Sequence, residues 1–214
     1  MADLSFFLCW LANPLRVGAV WPSSPALADA ITAEVTPACA PVIELGPGTG
    51  VFTRSLIAHG VPEERLALIE YEKYFARVLK RTFPKARVFR MDATRLKDID
   101  LFDGERAGAV VSGLPMLLMP PKKVIAVLEG AFEHLRPEGA FYQFTYGPDS
   151  PVSRAILDRL GLDVARFGGT FANVPPALVY RIRRRAPRST ATRSADVHAT
   201  APPSSSRTTP PREN

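Results

Sequence analysis

The sequence predicts an α/β domain: a doubly wound, mostly parallel sheet with a C-terminal antiparallel strand. Three observations carry that expectation. Short runs of aliphatic and β-branched residues alternate with helix-like stretches through residues 36–186, as repeated βαβ units require. The first run, Val42-Ile43-Glu44-Leu45, opens into Gly46-Pro47-Gly48-Thr49-Gly50, a glycine turn leading straight into a helix. The last two β-rich runs are close enough in sequence to fold back on each other as a hairpin.

Taken in order, residues 3–12 form a short helix whose apolar arc carries Leu4, Phe6, Phe7, Leu8, Trp10 and Leu11. Burying each such side chain is worth about 1.5–3 kcal/mol, so this helix must dock, either on its own domain or in a membrane interface. Residues 13–25 are rich in Gly, Pro and Ser and read as either a lid or a simple linker. A helix follows from Pro25 to Val35, with Ser23 or Ser24 available to cap it. The alternating core then runs strand 42–45, helix 49–59, strand 66–70, helix 71–82, strand 86–91, strand 107–112, helix 121–135 and strand 140–146. A helix at 151–160 leads to the final hairpin, 164–171 and 177–183. The expected organisation is an N-terminal helical segment for membrane association or as a lid (1–35), the α/β domain (36–186), and a tail (187–214). The tail is rich in Ser, Thr, Pro and Arg, and cannot bury enough apolar surface to offset its ordering entropy.

Spacing and charge say what the glycine turn holds. A dinucleotide fingerprint needs Gly-x-Gly-x-x-Gly, whereas here glycines fall at 46, 48 and 50 with Glu44 just before them. A carboxylate beside the loop repels a pyrophosphate but suits a cation. S-adenosylmethionine carries a sulfonium and an ammonium. A second acid, Glu70, ends the apolar run 66–69 where a Rossmann-like fold places the carboxylate for ribose hydroxyls. The predicted cofactor-binding set is Glu44, Gly46, Gly48, Gly50, Glu70, Tyr71, Asp92, Ala93 and Ser112. Asp92 closes the third strand, where its carboxylate either accepts from an adenine amine or caps the turn that follows.

Charge and cysteine content narrow the classes. The net charge of +6 belongs to residues 181–214, because residues 1–180 hold 19 basic and 19 acidic residues. Within them, Lys73, Arg77, Lys80, Arg81, Lys85, Arg87, Arg90, Arg95 and Lys97 are a cluster interrupted only by Asp92. That cluster marks either an anionic partner or an ordinary solvated face. Arg181, Arg183, Arg184 and Arg185 stand where the last strand leaves the fold and are further candidates for phosphate contact. Cys9 and Cys39 lack companions at metal-ligand spacing, so free thiols and no metal are expected. No segment reaches the ~20 apolar residues of a spanning helix, and a cytoplasmic protein is expected.

The turn after the fourth strand, Ser112-Gly113-Leu114-Pro115, points carbonyls and a hydroxyl toward the cleft beside a methyl donor. Amine methylation needs that arrangement, since the nucleophile must be neutral and held in line. Ser112, Leu114 and Tyr146 are the predicted acceptor-positioning residues. No strong base is required, because the proton can leave through water.

The combination NPLRVGAVWPSSPALA, VIELGPGTGVFTRSL, ALIEYEKYFA, AVVSGLPMLLMP and FYQFTYGPDSPV resembles the bacterial phospholipid N-methyltransferases over most of residues 5–183. The resemblance implies a Rossmann-like class I S-adenosylmethionine-dependent methyltransferase. Such an enzyme carries phosphatidylethanolamine toward phosphatidylcholine on an anionic membrane surface, peripherally at the inner face of the cytoplasmic membrane. It also implies that Glu44, Gly46, Gly48 and Glu70 bind the cofactor and that the N-terminal helix aids membrane attachment. Two other readings remain: an rRNA adenine N6-methyltransferase and a non-catalytic membrane-surface module. Against the first, Met116 stands where the related RNA enzymes carry an aromatic for a flipped base. Nucleic acid is therefore not the expected partner.

Overall fold

The structure is a computed structural model that describes residues 24–146, 149–170 and 176–186. The helix expected at 3–12, most of the 13–25 segment and the tail lie outside the described residues. Among the described residues five α-helices, α1 (Pro25–Thr32), α2 (Val51–Ala58), α3 (Lys73–Thr82), α4 (Pro121–His134) and α5 (Arg154–Leu160), surround one sheet. Its seven strands are β1 (Val42–Leu45), β2 (Leu66–Glu70), β3 (Arg87–Arg90), β4 (Ala107–Ser112), β5 (Leu135–Thr145), β6 (Leu162–Thr170) and β7 (Ala177–Arg184). Their order is β3-β2-β1-β4-β5-β7-β6, and β7 runs antiparallel to both neighbours. The doubly wound sheet and its antiparallel C-terminal strand are as the sequence predicts.

Burial explains the strand patterns. Every residue of β1 and β2 is buried, which is why both read as continuous apolar runs rather than as alternation. One face of the sheet packs Ile43, Leu45, Ile69 and Phe141 against Val127, Leu128 and Ala131 of α4 and Ile156 of α5. The other packs Val42, Leu68 and Val111 against Leu27 and Ile31 of α1, Leu56 of α2 and Leu79 of α3. Residues 24–35, grouped by sequence with the N-terminal segment, thus contribute to the second core through Leu27, Ile31 and Val35. Ser24 caps α1 by accepting from the Leu27 amide at 3.2 Å, and Gly161 ends α5 in the left-handed region at φ 64°.

The boundaries differ from expectation in one informative place. β5 starts at Leu135, immediately after α4, rather than at Ala140. Pro137 and Gly139 lie between the helix and the strand that the sequence predicts. In the structure they fall where the β4–β5 register shifts, between the pairs Ala107–Leu135 and Ala109–Ala140. Arg136 makes up for the irregular ladder by donating to the carbonyls of Arg106 at 3.1 Å and Ala38 at 3.2 Å.

Candidate active site

β1 and β4 are neighbours, but their continuations leave on opposite faces, α2 on one and α4 on the other. A crevice therefore opens beyond their carboxyl ends, the place where open α/β sheets bind ligands. Two turns wall it. The Gly46 amide donates to the Ile69 carbonyl at 2.9 Å and the Gly113 amide to the Leu45 carbonyl at 2.8 Å. The turns also touch each other: a Cβ added at Gly113 would lie 2.8 Å from the Gly46 carbonyl oxygen.

The three predicted loop glycines play different parts. Gly48, at φ 55°, donates its amide to Glu70 Oε2 at 3.0 Å, and an added Cβ there would meet nothing within 4 Å. The space beside the loop is open. Gly50 instead starts α2 from the left-handed region, and a Cβ there would fall 2.5 Å from the Phe83 ring. Its glycine serves packing between α2 and the end of α3, and Gly50 does not line the cleft.

The two acids sit at the ends of adjacent strands. Glu44 is fully buried and accepts from Thr53 Oγ1 at 2.6 Å through Oε2, while Oε1 is buried with no partner. Burial pushes its carboxyl up to about 8; the Thr53 bond opposes this and the nearby Glu70 charge adds to it. Glu70, 6% exposed, accepts from the Gly48 amide and from the Glu72 amide at 2.8 Å. Burial also raises its carboxyl, against the pull of those amides. Asp92 caps the turn after β3, taking both the amide and hydroxyl of Thr94 on Oδ1 at 2.9 and 2.8 Å. Burial opposes its ionisation, but the Thr94 bonds and the charges of Lys123 and Arg95 outweigh it and lower its carboxyl.

These groups border a cleft of about 440 Å³, within the range of small-molecule sites. Of the predicted residues, Gly46, Glu70, Tyr71, Asp92, Ala93 and Leu114 line it directly. Glu44 lies one residue before the strand end, in the sheet itself. Ser112 is buried under its turn, where Oγ accepts from the Leu114 amide at 3.3 Å. Tyr146 lies instead in an adjoining, mainly apolar recess of only about 20 Å³ with Leu114, Pro115, Met116, Leu117, Leu118, Phe144 and Thr145. Its ring meets Phe144 edge-on at 5.3 Å. Leu114 and Pro115 belong to both cavities.

Sequence reasoning missed Gln143, Thr145, Thr53 and Lys123. Gln143 is buried and donates Nε2 to the Leu114 carbonyl at 2.9 Å and the Phe144 carbonyl at 3.0 Å. Its Oε1 and the Thr145 hydroxyl are buried without partners, although such atoms are normally satisfied. Their signal was legible: in Phe141-Tyr142-Gln143-Phe144-Thr145 the two polar residues alternate, which puts both on one face of a buried strand. Among the described residues no His, Cys, Asp and Glu cluster could hold a metal ion, and no helix is long and apolar enough to cross a membrane.

Comparison with known proteins agrees with this geometry. A family model described as a methyltransferase domain matches residues 42–139. The ornithine lipid N-methyltransferase of Singulisphaera acidiphila is 28% identical over 189 residues, covering 86% of this chain and 97% of that protein. The glycopeptide N-methyltransferase MtfA superposes with a TM-score of 0.60 at 14% identity, covering 81% of this chain and 97% of that one. A second MtfA structure holds S-adenosylmethionine, with a TM-score of 0.57 at 13% identity over 77% of this chain and 96% of that one. The CcbJ methyltransferase of Streptomyces caelestis gives 0.59 at 15% identity, over 78% of this chain and 94% of that one. The fold is the class I S-adenosylmethionine-dependent methyltransferase fold.

Proposed function

We propose that this methyltransferase acts on the headgroup amine of a membrane phospholipid, carrying phosphatidylethanolamine and its methylated intermediates toward phosphatidylcholine. The reaction is placed peripherally at the inner face of the cytoplasmic membrane. The observation that carries the reading is the shared wall: Leu114 and Pro115 line both the polar, acid-rimmed cleft and the apolar cavity beside it. A charged cofactor and an amphipathic acceptor would meet across that one turn.

The residues fit the cofactor. S-adenosylmethionine supplies an electrophilic methyl group on a sulfonium centre. The orphaned Glu44 Oε1 suits a cationic group of the ligand, since a partner charge relieves the cost of a buried carboxylate. Glu70 suits ribose hydroxyls and Asp92 suits an adenine amine, each at the end of its strand. Tyr71, Ala93 and Gly46 supply the walls.

On the acceptor side, the Leu114 carbonyl is held through both lone pairs, by Gln143 Nε2 and the Met116 amide, each at 2.9 Å, so Gln143 Oε1, buried without a partner, is the acceptor left for an amine N–H. Thr145 adds a buried hydroxyl at the same cavity, and Tyr146 narrows its opening. Ser112 holds the turn through the Leu114 amide. These groups orient a neutral amine without protonating it, and orientation accounts for much of the barrier reduction. The amine proton passes to water, so no buried base is invoked.

A second reading keeps the chemistry and changes the lipid. The similarity to an ornithine lipid N-methyltransferase favours an amino-acid-bearing lipid whose free amine would enter the same cavity. The test is purified full-length protein with methyl-labelled donor, offered vesicles containing phosphatidylethanolamine, vesicles containing ornithine lipid, or structured rRNA. Label in the first supports the proposal, and label in the second alone selects the other lipid. Label in RNA alone, or donor binding with no transfer to any acceptor, contradicts both.

A further inference from the structure

The exposed large hydrophobic residues among the described ones are four: Tyr71 at 66%, Tyr74 at 65%, Leu117 at 49% and Leu118 at 40%. They are far apart in sequence but close in topology. Tyr71 and Tyr74 follow the carboxyl end of β2, and Leu117 and Leu118 follow that of β4. β2, β1 and β4 are parallel, so all four side chains stand along one edge of the sheet, on either side of the cofactor cleft.

Cations share that edge. Lys73 and Arg77 occupy the first half of α3, Arg90 ends β3, and Lys122 and Lys123 open α4. All five are exposed, and none forms a salt bridge among the described residues. The exposed acid in the same stretch is Glu72, while Asp92 and Glu70 turn into the cleft. Elsewhere in the basic cluster Arg87 pairs with Asp103 at 2.9 Å and Arg95 with Asp98 at 3.2 Å, while Lys80, Arg81, Lys85 and Lys97 are exposed without a salt bridge but have no exposed large hydrophobic residue beside them in sequence. Unpaired cations together with exposed tyrosines and leucines on one edge are what an anionic lipid surface complements, through headgroup attraction and shallow insertion of amphipathic rings.

We infer that this edge, with Tyr71, Tyr74, Leu117 and Leu118 framed by Lys73, Arg77 and Lys122, is the face that docks on an anionic phospholipid bilayer. The inference deepens the lipid-amine reading and rests on it for its purpose. Docked this way, the apolar cavity at Leu114–Tyr146 opens against the headgroups, and an acceptor amine reaches the turn without its acyl chains leaving the membrane.

The experiment is vesicle sedimentation of the full-length protein with phosphatidylglycerol–phosphatidylcholine vesicles and with pure phosphatidylcholine vesicles, at low and high salt. The wild type is expected to bind the anionic vesicles in a salt-sensitive way. Lys73→Ala with Arg77→Ala should weaken partition by about fivefold per cation, about 25-fold together, and flatten the salt dependence. Tyr74→Ser should weaken the binding that survives high salt. Unchanged melting and unchanged calorimetric donor affinity would show the variants folded. Methyl transfer to phosphatidylethanolamine in detergent micelles separates the two claims. If transfer occurs but neither variant changes vesicle binding, the docking face is wrong and the lipid reading survives. Absence of wild-type vesicle binding also overturns the docking face, as does salt-sensitive retention on structured RNA in place of vesicles.

Discussion

The two ends of the sheet are built differently. At the carboxyl end stand the orphaned Glu44 Oε1, Gln143 Oε1 and Thr145 Oγ1, and exposed aromatic and basic side chains. At the amino end the polar groups are paired. Arg184 donates to the carbonyls of Phe132, Leu135 and Arg136, the last at 2.7 Å. Arg136 reaches the carbonyls of Ala38 and Arg106, and Arg65 pairs with Glu105 at 2.5 Å. Glu34 is held by Arg181 at 2.7 and 2.8 Å and by the Tyr142 hydroxyl at 2.9 Å. Burial works against the Glu34 charge, but these bonds outweigh it and its carboxyl is lowered. One end ties off its polar groups and so stabilises the fold. The other leaves them open and so is able to bind.

That contrast can be broken by substitution. Arg184→Ala should be the most damaging to stability, about 2–3 kcal/mol, because it leaves several carbonyls short of a donor. Denaturant midpoints would show it, with donor affinity unchanged; a loss of affinity equal to that of a cleft variant would erase the distinction between the ends. Glu70→Ala should do the reverse and weaken donor binding by about tenfold or more, the loss of charged hydrogen bonds worth ~1.5–3 kcal/mol. Unaltered affinity in calorimetry would take Glu70 out of the site.

The amine-holding turn gives a smaller effect. Gln143→Leu should lower kcat/KM for the acceptor by about tenfold, a loss of ~1.4 kcal/mol, with donor affinity retained. Equal loss of donor affinity would mean that Gln143 merely supports the fold. Glu44→Gln should raise the stability of the free protein at pH 8 by about 1–3 kcal/mol while weakening donor binding. The sign follows from a folded carboxyl raised to about 8 against an ordinary 4.5. Between those values the folded state holds more protons than the unfolded one, so this group's contribution to stability falls as pH rises through the window. Identical melting of variant and wild type at pH 5 and a gap at pH 8 is the expected pattern; a constant gap would contradict it.

Much of the carboxyl end was legible in sequence, because its signals are local. The glycine turn, Glu44 before it and Glu70 closing the next apolar run are each set within a few residues of a strand end, and the strand order then brings them together. The amino end was not legible. Arg184 finds its carbonyls about 50 positions away, and Arg181 finds Glu34 at a separation of 147. From sequence, Arg181, Arg184 and Arg185 read as candidates for phosphate contact; the structure commits them to Glu34, to main-chain carbonyls, and to Asp158 and Asp163. A local run of arginines shows charge but not the partner that the fold delivers to it. Gln143 and Thr145 were missed for a related reason. Their alternation places both on one face of a buried strand, but only the structure shows that Gln143 Oε1 and Thr145 Oγ1 lack partners there.

The most direct test is calorimetry of S-adenosylmethionine binding at pH 7 in two buffers of different ionisation enthalpy. A buried Glu44 that is mostly protonated when free must ionise to receive a cation, so binding should release close to one proton, and Glu44→Gln should abolish that release. Tight binding with no proton linkage would mean that Glu44 does not meet the ligand's charge, and no binding at all would contradict the site as described.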